Sequence, residues 1–247
     1  MSEGHLIFGH HAVRAMVAQS ASRVQEVLLV DERQDKRMNE TRRLVVQAGL
    51  PVRNLARRDL NHLLPEVTHQ GVAARLRAPR QWNEPDLPDL VSAAGPDPLV
   101  LILDGVQDPR NLGACMRTAD AVGACAVVVP KDRAASLTPV ARKVASGAAE
   151  TVPLIRVTNL SRTLLLLKEM GLVLVAADEN GPALYHQADL RGSLGLVMGA
   201  EGKGLRRLTL ERCDLLVRLP MAGIVESLNV SVALGILAYE ALRQRQS

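Results

Sequence analysis

Three blocks in the C-terminal part of this 247-residue chain hold the residues best suited to chemistry. They read Asp104-Gly-Val-Gln-Asp-Pro-Arg-Asn-Leu-Gly-Ala-Cys-Met-Arg117, Val197-Met-Gly-Ala-Glu-Gly-Lys-Gly-Leu205 and Leu219-Pro-Met-Ala-Gly-Ile-Val-Glu-Ser-Leu-Asn-Val-Ser231. Each follows a short apolar run. Each sets glycines, which tolerate positive φ and close backbone approach, beside polar groups that a core does not need. Neither standard nucleotide motif is present. A P-loop requires a glycine at Val197 and a Ser or Thr at Gly204; a dinucleotide fingerprint starting at Gly202 requires a glycine at Arg207. The loops therefore suit backbone-mediated binding of something other than a phosphate cradle's ligand. The polar set comprises Asn111, Arg117, Glu201, Ser227 and Asn229, with Ser227 and Asn229 good N-cap residues at a helix start.

Other chemistries are poorly served. No H-x-x-x-H pair or carboxylate cluster offers a metal site. Cys115, Cys125 and Cys213 are dispersed and odd in number, which argues against a disulfide framework or zinc and fits a reducing cytoplasm. No stretch reads as a signal peptide, and no charge-free apolar run reaches membrane-spanning length. Net charge is +4, with 30 Lys and Arg against 26 Asp and Glu, a balance compatible with a polyanionic partner. Lys131-Asp-Arg133 and Arg142-Lys143 are candidate phosphate contacts, while His10 and His11 are either RNA contacts or structural. Aromatics are only 2% of the chain, which argues against single-strand nucleic-acid binding by base-stacking platforms.

The elements that must position these blocks alternate. Strands are expected at 99–103, 126–129, 152–157, 172–176, 194–198 and 215–219. Their unbroken apolar character implies burial on both faces of a parallel sheet. Helices are expected at 112–122, opened by Asn111, at 160–170, and at 229–245 with Val232, Ile236, Tyr239 and Leu242 on one face. Ligands of a doubly wound sheet sit at the strand C-termini, where the three blocks fall. Residues 78–98, rich in proline and acids, read as a linker with a short helix near 87–94. Before it, residues 1–77 read as a small, modestly basic α/β domain with helices at 10–18 and 38–48 and strands at 24–30, 52–55 and 72–76.

The three blocks resemble, in order, the motifs of the SpoU/TrmH class of knotted (SPOUT) RNA 2′-O-methyltransferases. The likeness spans nearly the whole chain. It implies an α/β fold whose residues 99–247 form a parallel-sheet SPOUT domain with a deep trefoil knot. It also implies that 1–77, through Gly9-His-His-Ala-Val13 and Thr68-His-Gln-Gly-Val-Ala-Ala74, is an L30e-like RNA-binding domain. The cofactor implied is S-adenosylmethionine, held by Gly199, Leu219, Met221 and Leu228. The catalytic residues implied are Asn111, Arg117, Glu201, Ser227 and Asn229. A guanidinium with a pKa above 12 suits stabilisation of a ribose alkoxide better than proton abstraction. The resemblance further implies a homodimer acting on a guanosine of 23S rRNA in the peptidyl-site loop during large-subunit biogenesis, with neither metal nor membrane involved. A tRNA-directed enzyme of the same class and a catalytically silent RNA-binding homologue remain alternatives. A dinucleotide-dependent oxidoreductase is disfavoured by the missing fingerprint. Glu226 departs from the small polar residue expected beside Ser227.

Overall fold

Runs of Val, Leu and Ile make the strands, and their alternation decides which helices cover each face. The computed structural model describes residues 6–31, 35–65, 67–77, 82–200, 202 and 204–246. It divides into two compact units, Met1–Arg80 and Gln81–Ser247.

In the first unit the described elements are β1 (Leu6–Phe8), α1 (His10–Ser20), β2 (Val24–Val30), α2 (Lys36–Gln47), β3 (Val52–Leu55), α3 (Arg57–Leu63) and β4 (Val72–Leu76). The sheet order is β1-β4-β2-β3, with β2 and β3 parallel and the other pairs antiparallel. Period-2 alternation in β2 sends Val27 and Leu29 toward Val13, Val17, Met38 and Val45, and Leu28 and Val30 toward Leu60. The result is a three-layer sandwich. Gly49 stops the second helix with φ 66°, as its C-cap reading anticipated. The short β1 and α3 escaped the sequence reading, each being too brief to show a period. His10 is buried, its Nδ1 2.9 Å from Thr41 Oγ1, so it serves this core; His11 is exposed.

The second unit begins with α4 (Leu87–Ala93), which buries Leu87 and Val91. It continues β5 (Leu99–Asp104), α5 (Pro109–Ala121), β6 (Ala126–Pro130), α6 (Pro139–Ala145), α7 (Ala148–Thr151), β7 (Leu154–Val157), α8 (Leu160–Glu169), β8 (Val173–Ala177), β9 (Ala183–Leu184), β10 (Leu194–Gly199), α9 (Arg207–Leu210), β11 (Leu215–Arg218) and α10 (Val230–Arg245). All six expected strands are present, and the sheet is parallel throughout in the order β7-β6-β5-β10-β8-β11-β9. One face packs on α5 and α10 through Leu101, Leu103, Leu196 and Met198, and the other on α4 and α8 through Val100, Ile102, Leu174 and Val197.

Two expectations need correction. Asn111 does not open α5: the helix starts at Pro109, and Asp108 is its cap, accepting from Arg110 N at 2.8 Å. Proline at the first helical position has no amide to satisfy, which moves the start upstream. On α10 the core face is Val230, Ala233, Leu234, Leu237, Ala238 and Ala241. Of the expected Val232, Ile236, Tyr239 and Leu242 stripe, Val232 (50% exposed) and Tyr239 (54%) face outward, Ile236 is half-buried, and Leu242 packs against the core. Close packing on α5 favours the smaller alanines. No helix among the described residues is long and apolar enough to cross a membrane.

Candidate active site

The site is built where β10, β8 and β11 end. Gly199, the last residue of β10, lies opposite Asp104 at the end of β5. The chain then folds back, with Ala200 N donating to Gly204 O at 3.2 Å and Gly204 N to Ala200 O at 3.0 Å. Gly202 (φ 72°) and Gly204 (φ 61°) supply the left-handed conformations this turn needs. Gly199 has a different duty. A Cβ on it would lie 2.6 Å from Gly204 O and from Leu205 N, so only hydrogen lets the turn close on its own strand.

Asp104 locks this turn from below. Its carboxylate is 1% exposed and accepts from Arg206 Nε at 2.7 Å and from Thr209 Oγ1 at 2.6 Å. The start of the first block is thereby joined to the segment that follows the second. Arg206 remains half-exposed, so its charge keeps some water while offsetting the buried carboxylate. Sequence reasoning missed this link; an acid closing an otherwise apolar strand was the available signal.

The third block is joined to the first. Asn229 caps α10, its Oδ1 accepting from Ser231 N at 2.9 Å and Ser231 Oγ at 2.7 Å. Its Nδ2 donates to Oδ1 of the buried Asn111 at 3.1 Å. One asparagine thus serves both the helix terminus and a cross-link between residues 118 positions apart.

These loops enclose a cavity of about 420 Å³. Its wall includes Gly199, Leu219, Met221 and Leu228, the four positions expected to hold a cofactor, together with Ser227. Met198, Leu205, Val230 and Ala233 supply apolar surface, and backbone from the two loops supplies polar groups. Asp178 and Glu179, following β8, and Glu226 bring carboxylates to the same wall. Asp178 and Glu179 had no motif to mark them; they arrive because β8 lies beside both β10 and β11. An apolar slot with loop backbone and acids fits a nucleoside that carries positive charge.

The remaining expected residues fall elsewhere. Asn111 and Asn229 bond to each other but are outside the lining. Arg117 is exposed on α5, outside the lining, and has no hydrogen-bond or ion-pair partner among the described residues. Glu201 lies outside the described residues. Burial, with Asp214 adding to it, pushes the Cys213 thiol up to about 12, and Cys115 is buried, so neither is suited to nucleophilic attack. No group of three or more His, Cys, Asp or Glu that could hold a metal ion occurs among the described residues.

The fold and site place the chain in a class: it belongs to the SpoU rRNA Methylase family, which it matches over residues 98–239. Residues 6–82 match the RNA 2′-O ribose methyltransferase substrate-binding family. The chain is 50% identical over 246 residues to the 23S rRNA (guanosine-2′-O-)-methyltransferase RlmB of Pseudomonas putida, covering 100% of this chain and 99% of that one. It is 49% identical over 245 residues to the RlmB of Escherichia coli K12, covering 99% and 100%. Among solved structures, the SpoU methyltransferase AviRb of Streptomyces viridochromogenes superposes with a TM-score of 0.69 at 27% identity, covering 99% of this chain and 91% of that one. The same enzyme in complex with AdoMet gives 0.67 at 25% identity, covering 98% and 91%.

Proposed function

We propose that this chain transfers a methyl group from S-adenosylmethionine to the ribose 2′-hydroxyl of a guanosine in 23S rRNA. The observation that carries the reading is the convergence of the second and third blocks on one cavity, with the first bonded to both. Full-length identity near 50% to two RlmB enzymes supports the substrate. Within this reading, 1–77 holds the RNA, 78–98 is the linker and 99–247 is the catalytic domain. The peptidyl-site loop is the target, the modification belongs to large-subunit biogenesis, and the compartment is the cytoplasm.

When bound, the cofactor supplies a sulfonium methyl group open to in-line attack. The chain's own work is positioning and electrostatics. Leu219, Met221 and Leu228 hold the nucleoside through their backbone and apolar surface, and Gly199 keeps the opposite turn close. Asp178, Glu179 and Glu226 favour the cofactor's positive charge. Asn111, Asn229 and Ser227 order the third block, and Glu201 serves in this reading to position Arg117, the ribose hydroxyl or the partner copy's loop. Arg117 stabilises the developing alkoxide of the ribose.

Because Arg117 lies outside this cavity, the reading includes a homodimer in which a second copy supplies the arginine. Ile224 (101% exposed), Val225, Val232 and Tyr239 form the apolar surface that such a partner would cover. Arg117 lies on α5 and Val232 and Tyr239 on α10, two helices packed together on one face of the sheet. A trefoil knot is part of the same proposal. The late strand β10 lies between the earlier β5 and β8, and α10 returns to pack on α5, an arrangement that favours threading.

The test is methyl transfer from labelled S-adenosylmethionine to protein-free 23S rRNA and to tRNA, with Arg117→Ala in parallel and the product nucleotide mapped. Label at one guanosine ribose of 23S rRNA, lost in the variant, is expected. Label in tRNA alone would overturn the substrate, and no cofactor binding would overturn the enzyme.

A further inference from the structure

The cations of the second unit are not distributed alike. Among its described residues, every Lys and Arg outside 110–143 has a hydrogen-bond or ion-pair partner. Examples are Arg162 with Glu84, Lys168 with Asp214, Arg207 with Glu211 and Arg243 with Glu240. Within 110–143 only Arg142 is engaged, with Glu150. The side chains of Arg110, Arg117, Lys131, Arg133 and Lys143 are all exposed and have no hydrogen-bond or contact ion-pair partner among the described residues, although Lys131 is near enough to Glu84 for its charge to help lower that carboxyl's pKa.

Four of them, Arg110, Lys131, Arg133 and Lys143, lie on adjoining elements. Arg110 starts the helix that leaves β5, and Lys131 and Arg133 follow β6, the strand paired with β5. Lys143 is on α6, which packs tightly on α5: a Cβ on Gly113 would lie 2.5 Å from Ala141 O. The 131–135 loop is tied to the first block, with Ala135 N donating to Val106 O at 2.8 Å, while Gly105 approaches both Arg133 O and Ala200. The loop therefore lies beside the turns that build the cavity.

Arg133 carries an independent sign. Its φ is 56°, a conformation that favours glycine or asparagine. A residue there only to make the turn would be one of those. An arginine kept in a strained turn, exposed and unpaired, is kept for its charge. Asp132, also exposed and unpaired, dilutes the local charge without cancelling it.

We propose that Lys131, Arg133 and Lys143 form a track on the catalytic unit that grips RNA phosphates next to the target nucleotide. The proposal rests on the reading of the chain as an RNA methyltransferase and adds a second RNA contact, separate from residues 1–77. The track acts as point charges on the backbone, fixing register without reading sequence.

The test uses the full-length protein with Lys131, Arg133 and Lys143 all changed to Gln. A control changes Arg191 and Arg243, both exposed and paired, to Gln. RNA binding is measured across a salt series, alongside methyl transfer and S-adenosylmethionine affinity. Removing one phosphate-binding charge lowers the slope of log K against log salt by about 0.7–0.9, so the triple variant should lose about 2 units of slope. Its KM for RNA should rise at least tenfold, with kcat at saturating RNA and cofactor affinity held within twofold. The control should match the parent. A triple variant with the parent's slope and KM would overturn the track while leaving the methyltransferase reading intact. An unchanged parent that binds RNA but methylates none would instead fail the functional reading alone.

Discussion

Replacing Gly199 with Ala tests the central geometric claim, that the cavity depends on a turn closed against its own strand. The added methyl would sit 2.6 Å from Gly204 O and Leu205 N, where ordinary contact begins at 3.4 Å. Those atoms are backbone, and Gly204 C would lie closer still, so the turn must open by about 1 Å, and overpacking of this kind costs about 1–3 kcal/mol. In the free protein the turn relaxes outward; cofactor binding must close it again, so most of the cost appears as weakened affinity. At 1.4 kcal/mol per factor of ten, S-adenosylmethionine should bind about 5- to 100-fold more weakly. Isothermal titration calorimetry reads this directly. Gly223→Ala is the control, because nothing lies within 4 Å of its Cβ position and its φ is not positive. Affinity in the Gly199 variant within twofold of the parent, with an unchanged Tm, would refute the argument.

Asp104→Ala leaves the buried Thr209 hydroxyl without its acceptor and frees a half-exposed arginine, for a loss of about 2–4 kcal/mol in urea denaturation. Asp104→Asn, which keeps an acceptor, should lose less than half as much. In a double-mutant cycle, Asn111→Ala and Asn229→Ala should show a coupling of about 0.5–1.5 kcal/mol; a value of zero would mean that their hydrogen bond does not contribute. Tyr239→Arg, placed on the exposed face of α10, should shift the protein toward monomer in analytical ultracentrifugation and lower methyl transfer in parallel. A dimer that survives the change would exclude that face. His69 gives a pH signature in the first unit. Its Nδ1 accepts from Gly71 N at 3.0 Å, its Nε2 is 2.6 Å from Asn61 Oδ1, and burial, aided by Arg57, lowers its pKa. Below the unfolded value of about 6.5 the unfolded chain binds the extra proton first, so stability falls as pH drops through 6.5 toward the folded pKa. Thermal melts should show this in the parent and lose it in His69→Gln.

The parallel sheet was legible because its central strands β5, β6 and β10 are buried on both faces, and a double-sided core leaves an unbroken apolar run that needs no periodicity to be seen. Leu99–Asp104 is the clearest case, all six residues being buried. Short pieces were not: β9 has two residues, and α9 has four, anchored by Leu210 against the core and by Thr209 bonding Asp104. The stripe on α10 misled for a related reason. Val232, Ile236 and Tyr239 have core character and helical spacing, yet the side toward α5 takes Ala233, Ala238 and Ala241. A helix with apolar residues all round gives the sequence no means of choosing its inner face.

The polar residues divide along the same line. Gly199, Leu219, Met221 and Leu228 were legible as one set because each lies in a block that follows a strand, and strands of a parallel sheet end on one edge. Asp104 acts through partners far away in sequence, and Asp178 and Glu179 reach the cavity only because β8 lies beside β10 and β11, a placement that no local motif announces. Asp104 meets Arg206 and Thr209 only because β10 pairs with β5 and carries the second block to the first. The order of strands, not the motif, therefore decides which acid is clamped and which faces the cavity. Arg117 is the sharpest instance. Its motif marks it for chemistry, while its own fold leaves it exposed and outside the cavity, which is why the proposed function assigns the arginine of each site to a partner copy. If that is correct, mixing Arg117→Ala subunits with Gly199→Ala subunits should restore one working site per heterodimer, assembled from the intact arginine of one copy and the intact cavity of the other. With S-adenosylmethionine held well below the Kd of the Gly199→Ala variant, a mixture that gains no activity over its two parents after subunit exchange, with heterodimer formation verified, would instead place the arginine and the cavity of each site on the same chain.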